Sequence, residues 1–101
     1  MDLSTDSRLL SPRELRLGVA TRAKHLRIAR SMKQSDLASA VGVTQATISR
    51  FEATGLVGFD VLVSIAIALG AEANLVDLFS VPAARSIDEI LAKKPARKRV
   101  R

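Results

Sequence analysis

The sequence predicts a compact all-α domain, and three observations carry that prediction. Apolar residues make up 48% of the chain while the aromatics are only three phenylalanines, and a core of Leu, Ile, Val and Ala suits a small helical bundle better than a sheet. Apolar residues recur at helical spacing in several short windows, each bounded by Gly, Pro or a capping residue. The length of 101 residues is enough for one core with tails and too short for two.

Residues 1–10 read as a flexible polar leader with a Leu pair at its end. Ser11, Pro12, Arg13 and Glu14 form a helix start, with Ser11 as N-cap, Pro12 at the first helical position and Glu14 closing a capping box. Helix one is expected from Pro12 to about Ser31, with Leu15, Val19, Ala23 and Leu26 as its apolar stripe and Arg13, Arg16, Arg22, Lys24 and Arg27 around it.

Helix two spans 34–41, with Leu37, Ala38 and Val41 inward and Gln34, Ser35, Asp36 and Ser39 polar. Gly42 ends it, because glycine tolerates the left-handed backbone of a helix exit. Val43 plugs the corner and Thr44 caps helix three, 45–52, in which Ile48 and Phe51 face inward and Gln45, Ala46, Thr47, Ser49 and Arg50 face out. Two short helices in this register form the layout of a helix-turn-helix, which points to double-stranded DNA.

After a turn around Gly55 to Gly58, Val61 to Gly70 is apolar almost all round. Its Val and Ile content permits a strand, but Ala66, Ala68 and Leu69 ending at Gly70 favour a helix. Leu75, Leu78 and Phe79 give a fifth helix from Ala73 to Ser80, stopped by Pro82. The domain thus spans 11–81, and 82–101 is a C-terminal extension with a short helix at Ser86 to Ala92. Its basic tail, 93–101, is expected to be disordered in the free protein.

Charge is divided along the chain. Arg8 to Arg50 holds nine Lys or Arg against two acids, Phe51 to Ala92 one Arg against six acids, and Lys93 to Arg101 six basic residues and no acid, for a net charge of +6. One half is built to meet phosphate, and the other should point away from it. There is no cysteine, which excludes disulfide scaffolds, thiolate zinc sites and thiol catalysis. No apolar run is long enough to span a bilayer and none resembles a signal peptide, so a soluble cytoplasmic protein without membrane partners is expected. His25, the single histidine, has no Cys, Asp or Glu at catalytic spacing, and there is no phosphate loop or metal-ligand cluster. The expectation is a protein that is not an enzyme and needs no cofactor or metal.

With these residues in view, Leu26 to Phe79 resembles the Cro/Xre-type phage-repressor helix-turn-helix family, a compact five-helix lambda-repressor-like DNA-binding domain. The likeness rests on Gln34, Leu37 and Ala38, on the Val41 to Val43 turn, on Thr44, Gln45, Ile48, Ser49, Phe51 and Glu52, and on Leu62, Ala66, Leu69 and Gly70. The resemblance implies that Gln45, Ala46, Thr47 and Arg50 contact bases, and that Gln34, Lys33, Thr44 and Ser49 contact the DNA backbone. Chemically, Gln45 can pair with adenine, Ala46 can touch a thymine methyl and Arg50 can fork onto guanine. It further implies an internal ion pair between Arg27 and Glu52.

Two positions depart from the family pattern. Lys33 stands where a Thr or Ser usually caps helix two and cannot accept from free backbone N–H groups. Ile67 stands where a polar residue is common, and with Val63 forms a face apart from the core stripe. That face, with part of helix five, is the expected interface of a homodimer, since one recognition helix reads few base pairs and a palindromic operator needs two half-sites held at fixed spacing. The expected function is a sequence-specific regulator, a repressor by preference. The alternative is an antitoxin, because the stretch from Ser11 and Pro12 through Gln45 to Ser49 and on to Phe51 and Glu52 is also similar to HipB-like antitoxins, and the acidic half with the C-terminal extension would give a protein toxin somewhere to dock.

Overall fold

A computed structural model describes residues 10–81, which form five helices and no strand: α1 (Pro12–Ala29), α2 (Gln34–Val41), α3 (Gln45–Thr54), α4 (Phe59–Ala68) and α5 (Glu72–Val76). The leader expected over 1–10, except Leu10, lies outside the described residues, as do the helix expected at Ser86 to Ala92 and the basic tail.

The start of α1 follows from its first four residues. The Ser11 hydroxyl accepts from the Glu14 N–H at 3.1 Å, and the Glu14 carboxylate accepts from the Ser11 N–H at 2.8 Å, so two otherwise orphan donors are satisfied. The helix ends at Ala29, short of Ser31, because Ser31 takes a left-handed backbone at φ 58°. Ser31 and Met32 donate back to the carbonyls of Ile28 and Arg27, closing the turn into α2.

Packing centres on α3, which lies against both α1 and α2, while α4 closes the bundle on α2 and carries α5. The fully enclosed residues are Ala20, Leu37, Ala38, Ile48, Phe51, Ile65 and Leu69. Burying the Leu, Ile and Phe side chains among them contributes about 1.5–3 kcal/mol each. The expected α1 stripe holds at Ala23 and Leu26, which pack against the core, but not at Leu15 and Val19, which are 45% and 40% exposed, whereas Ala20 is enclosed. The first third of α1 reaches past the core, and a small residue at position 20 lets the helix approach α3 closely.

The expected strand alternative at 61–70 does not occur. Gly58 is extended and its carbonyl accepts from the Leu62 N–H at 3.0 Å, so α4 starts two residues before Val61. Helix α3 runs two residues beyond Glu52. Helix α5 is only Glu72–Val76 instead of 73–80, since Ala71 supplies no side-chain cap and Phe79 is left-handed at φ 67°. Among the described residues no single helix is long and apolar enough to cross a membrane.

Candidate nucleic-acid interface

The turn between α2 and α3 sets the exposed face of α3. Gly42 takes φ 85° and its N–H donates to the Ala38 carbonyl at 2.8 Å, while Val43 donates to the same carbonyl at 3.0 Å. Two backbone donors past the end of α2 thereby converge on one of its orphan carbonyls, and the chain reverses within two residues. Thr44 then caps α3, its hydroxyl accepting from the Thr47 N–H at 3.1 Å. With Ile48 and Phe51 enclosed, the helical period leaves Gln45, Ala46, Ser49 and Arg50 on the outside, and all four are exposed.

Among the expected base-contact residues, Thr47 differs from the other three. It is half-buried, and its hydroxyl shares a 2.9 Å hydrogen bond with that of Thr44. Among the expected backbone-contact residues, Lys33, Thr44 and Ser49 are exposed, whereas Gln34 is half-buried and its amide Nε2 donates to Glu52 at 3.0 Å. The Lys33 side chain makes no cap hydrogen bond, but Asp36 accepts from the Lys33 N–H at 2.8 Å, so a carboxylate sits at the positive end of α2.

Glu52 is the hub of this arrangement. The Arg27 Nε–H and Nη2–H donate to its two carboxylate oxygens at 2.7 and 3.1 Å, and the Arg27 Nη1–H donates to the Met32 carbonyl at 2.6 Å. Both side chains are nearly enclosed, at 9% and 4% exposure. Burial pushes the Glu52 carboxyl up, but the hydrogen bonds from Arg27 and Gln34, with the charges of Arg27 and Lys24, outweigh it and hold the group below its ordinary value. The cluster therefore joins α1, the α1–α2 turn, the start of α2 and α3.

A second tie was not visible in the sequence. The Arg16 Nε–H donates to the Thr54 carbonyl at 2.9 Å, satisfying an acceptor at the α3 end. Gly55 follows at φ 77°, and a Cβ there would lie 2.7 Å from the Arg16 carbonyl oxygen. A partnership across 38 positions leaves no local pattern, although Gly55 itself marks the turn.

Cations are concentrated on α1 to α3, where Arg13, Arg22, Lys24, Arg30, Lys33 and Arg50 are exposed, whereas α4 and α5 expose Asp60, Glu72 and Asp77. Among the described residues no group of three His, Asp or Glu side chains could hold a metal ion.

Two helices at a tight left-handed turn, the second capped, buried on one side and polar on the other, define a helix-turn-helix DNA-binding domain. Residues 19–79 match the family of the helix-turn-helix domain, and the chain belongs to that family. No curated protein matches the chain.

Proposed function

We propose that this protein is a cytoplasmic transcriptional regulator that binds a specific double-stranded DNA sequence as a homodimer and acts as a repressor at a palindromic operator. The observation that carries the proposal is the exposed row of Gln45, Ala46 and Arg50 on α3, in a domain whose exposed cations lie on α1 and in the α1–α2 turn. A helix of this kind enters the major groove with its first residues at base edges, while the cations around it neutralise phosphates. Selection of bound duplexes from a random library gives half-site sequence and spacing together. Arg50→Ala is then expected to weaken the selected duplex by about 10-fold or more and random duplex far less. Equal losses on both would remove Arg50 from base reading.

The dimer is supported by the apolar surface at the far end of α4 and α5. Ile67 is 60% exposed, Val76 78% and Phe79 96%, while Val63 of the same α4 face is half-buried. Three large apolar side chains exposed on α4, on α5 and just past α5 offer material for a contact surface, and Phe79 has a backbone conformation that bulky residues avoid. The same surface would receive a protein toxin if the chain is an antitoxin. Sizing of the purified chain separates the two: a homodimer at micromolar concentration fits the proposal, and a monomer that assembles only with a co-purifying protein fits the alternative.

A further inference from the structure

We propose that the reading surface extends beyond α3 to Leu56, and that it takes up the C5-methyl group of a pyrimidine beside the base read by Arg50; this rests on the DNA-reading role proposed above. A recess of about 290 Å³ lies between α3 and the start of α4, lined by Ala46, Thr47 and Arg50 on one side and Leu56, Val57 and Val61 on the other. Ala46 and Arg50 are one turn apart on the exposed side of α3, so the recess is continuous with the base-reading row. Its far wall is apolar, and Leu56 is 41% exposed there.

The chemistry of the major groove leaves few occupants for such a wall. Base edges present hydrogen-bond donors and acceptors, and the apolar exception is the methyl group at C5 of thymine, or of cytosine when methylated. Arg50 at the edge of the recess would fork onto a neighbouring guanine, which places the methyl-bearing base next to it.

The position of Leu56 is tied to the Arg50 backbone through the Thr54 hydroxyl. The Thr54 hydroxyl donates to the Arg50 carbonyl at 2.7 Å and accepts from the Leu56 N–H at 3.0 Å. Arg16 holds the Thr54 carbonyl and Gly55 packs against Arg16. The loop therefore enters the complex already ordered, and the methyl contact costs little further ordering.

The test uses the duplex selected by the full chain, with each thymine replaced in turn by deoxyuridine, which removes only the methyl group. At one position in each half-site the affinity should fall about fourfold, the value of burying one such group. A cytosine at that position should lose affinity, and 5-methylcytosine should restore about the same factor, which shows that the methyl and not the rest of the base is read. In Leu56→Ala the deoxyuridine penalty should vanish while the penalty for replacing the guanine remains. If that variant melts early, Thr54→Val, which keeps the volume and loses the hydroxyl bridge, should reduce the penalty instead. Deoxyuridine without effect at every thymine, or an undiminished penalty in both variants, overturns the proposal while leaving the DNA-reading role intact. Failure to select any duplex over random sequence overturns both.

Discussion

Replacing Arg27 with Met should convert a structural ion pair into a pH-dependent lesion whose size can be bounded. Met preserves much of the side-chain length but leaves the nearly enclosed Glu52 carboxylate with only the Gln34 amide, and the Met32 carbonyl without its guanidinium. Breaking a buried pair in this way costs about 3–5 kcal/mol. The carboxyl has an escape, however, because it can take up a proton. Escape from an ordinary value near 4.3 costs about 1.4 kcal/mol per pH unit, so the ionic part of the penalty is capped at about 3.7 kcal/mol at pH 7 and about 1 kcal/mol at pH 5. The unsatisfied Met32 carbonyl adds about 1 kcal/mol at either pH.

The sign of the pH dependence follows from proton linkage. In the native protein Glu52 lies below its ordinary value, so its contribution is complete above about pH 4.5 and is lost as pH falls through the folded value. In Arg27→Met the folded carboxyl lies above its unfolded value, so the folded state binds more protons and stability falls as pH rises from 5 to 7. Urea unfolding followed by far-UV circular dichroism at pH 5, 6 and 7 measures both proteins. The difference between them should grow by about 2–3 kcal/mol over that range, a large part of the stability of a domain with roughly 70 residues. A difference that is below about 1 kcal/mol at pH 7, or that is the same at pH 5 and pH 7, would refute the buried-pair reasoning.

Gly55→Ala should destabilise the domain by about 2–4 kcal/mol in the same assay, from the left-handed backbone plus a collision with the Arg16 main chain, whereas Gly42→Ala, with open space around its Cβ, should lose only about 1 kcal/mol. Equal losses would show that the approach to Arg16 carries no energy. Ile67→Asp should leave the melting temperature of the monomer within a few degrees, because the side chain is exposed, and should shift the sizing profile towards monomer; an unchanged dimer would place the interface elsewhere.

What could be read from the sequence was local. The Ser11–Glu14 box, the Gly42 turn and the outward row of α3 are encoded within a few residues of one another, and the structure reproduces their register. The α1 stripe holds at Ala23 and Leu26 but differs at Val19, because Val19 and Ala20 both continue a helical period with Ala23 and only the approach of α3 chooses the smaller. The end of α5 was misread because Leu75, Leu78 and Phe79 keep helical spacing, yet nothing buries Phe79. The sequence places Arg16 on the polar side of α1 by its charge, and the resemblance implies a DNA-backbone contact for Gln34. Their partners, Thr54 and Glu52, lie in α3, and no periodicity reports such pairings.

Those partnerships change how the charge of this protein should be counted. Nine basic residues between Arg8 and Arg50 suggest an equal number of phosphate contacts, but Arg27 is committed to Glu52 and Arg16 to the end of α3. Helix α1 thus fixes both the Glu52 level and the terminal carbonyl of the helix that carries Gln45, Ala46 and Arg50, and it orients the reading row as a rigid body. Loss of an exposed cation that contacts phosphate lowers the salt slope of binding by nearly one. On the proposed reading role, loss of Arg16 or Arg27 should instead displace α3, so affinity for the selected duplex is expected to fall while the slope keeps the value set by the exposed cations. Arg16 and Arg27, held on Thr54 and Glu52, are therefore expected to act on recognition through the position of α3 and not as phosphate ligands.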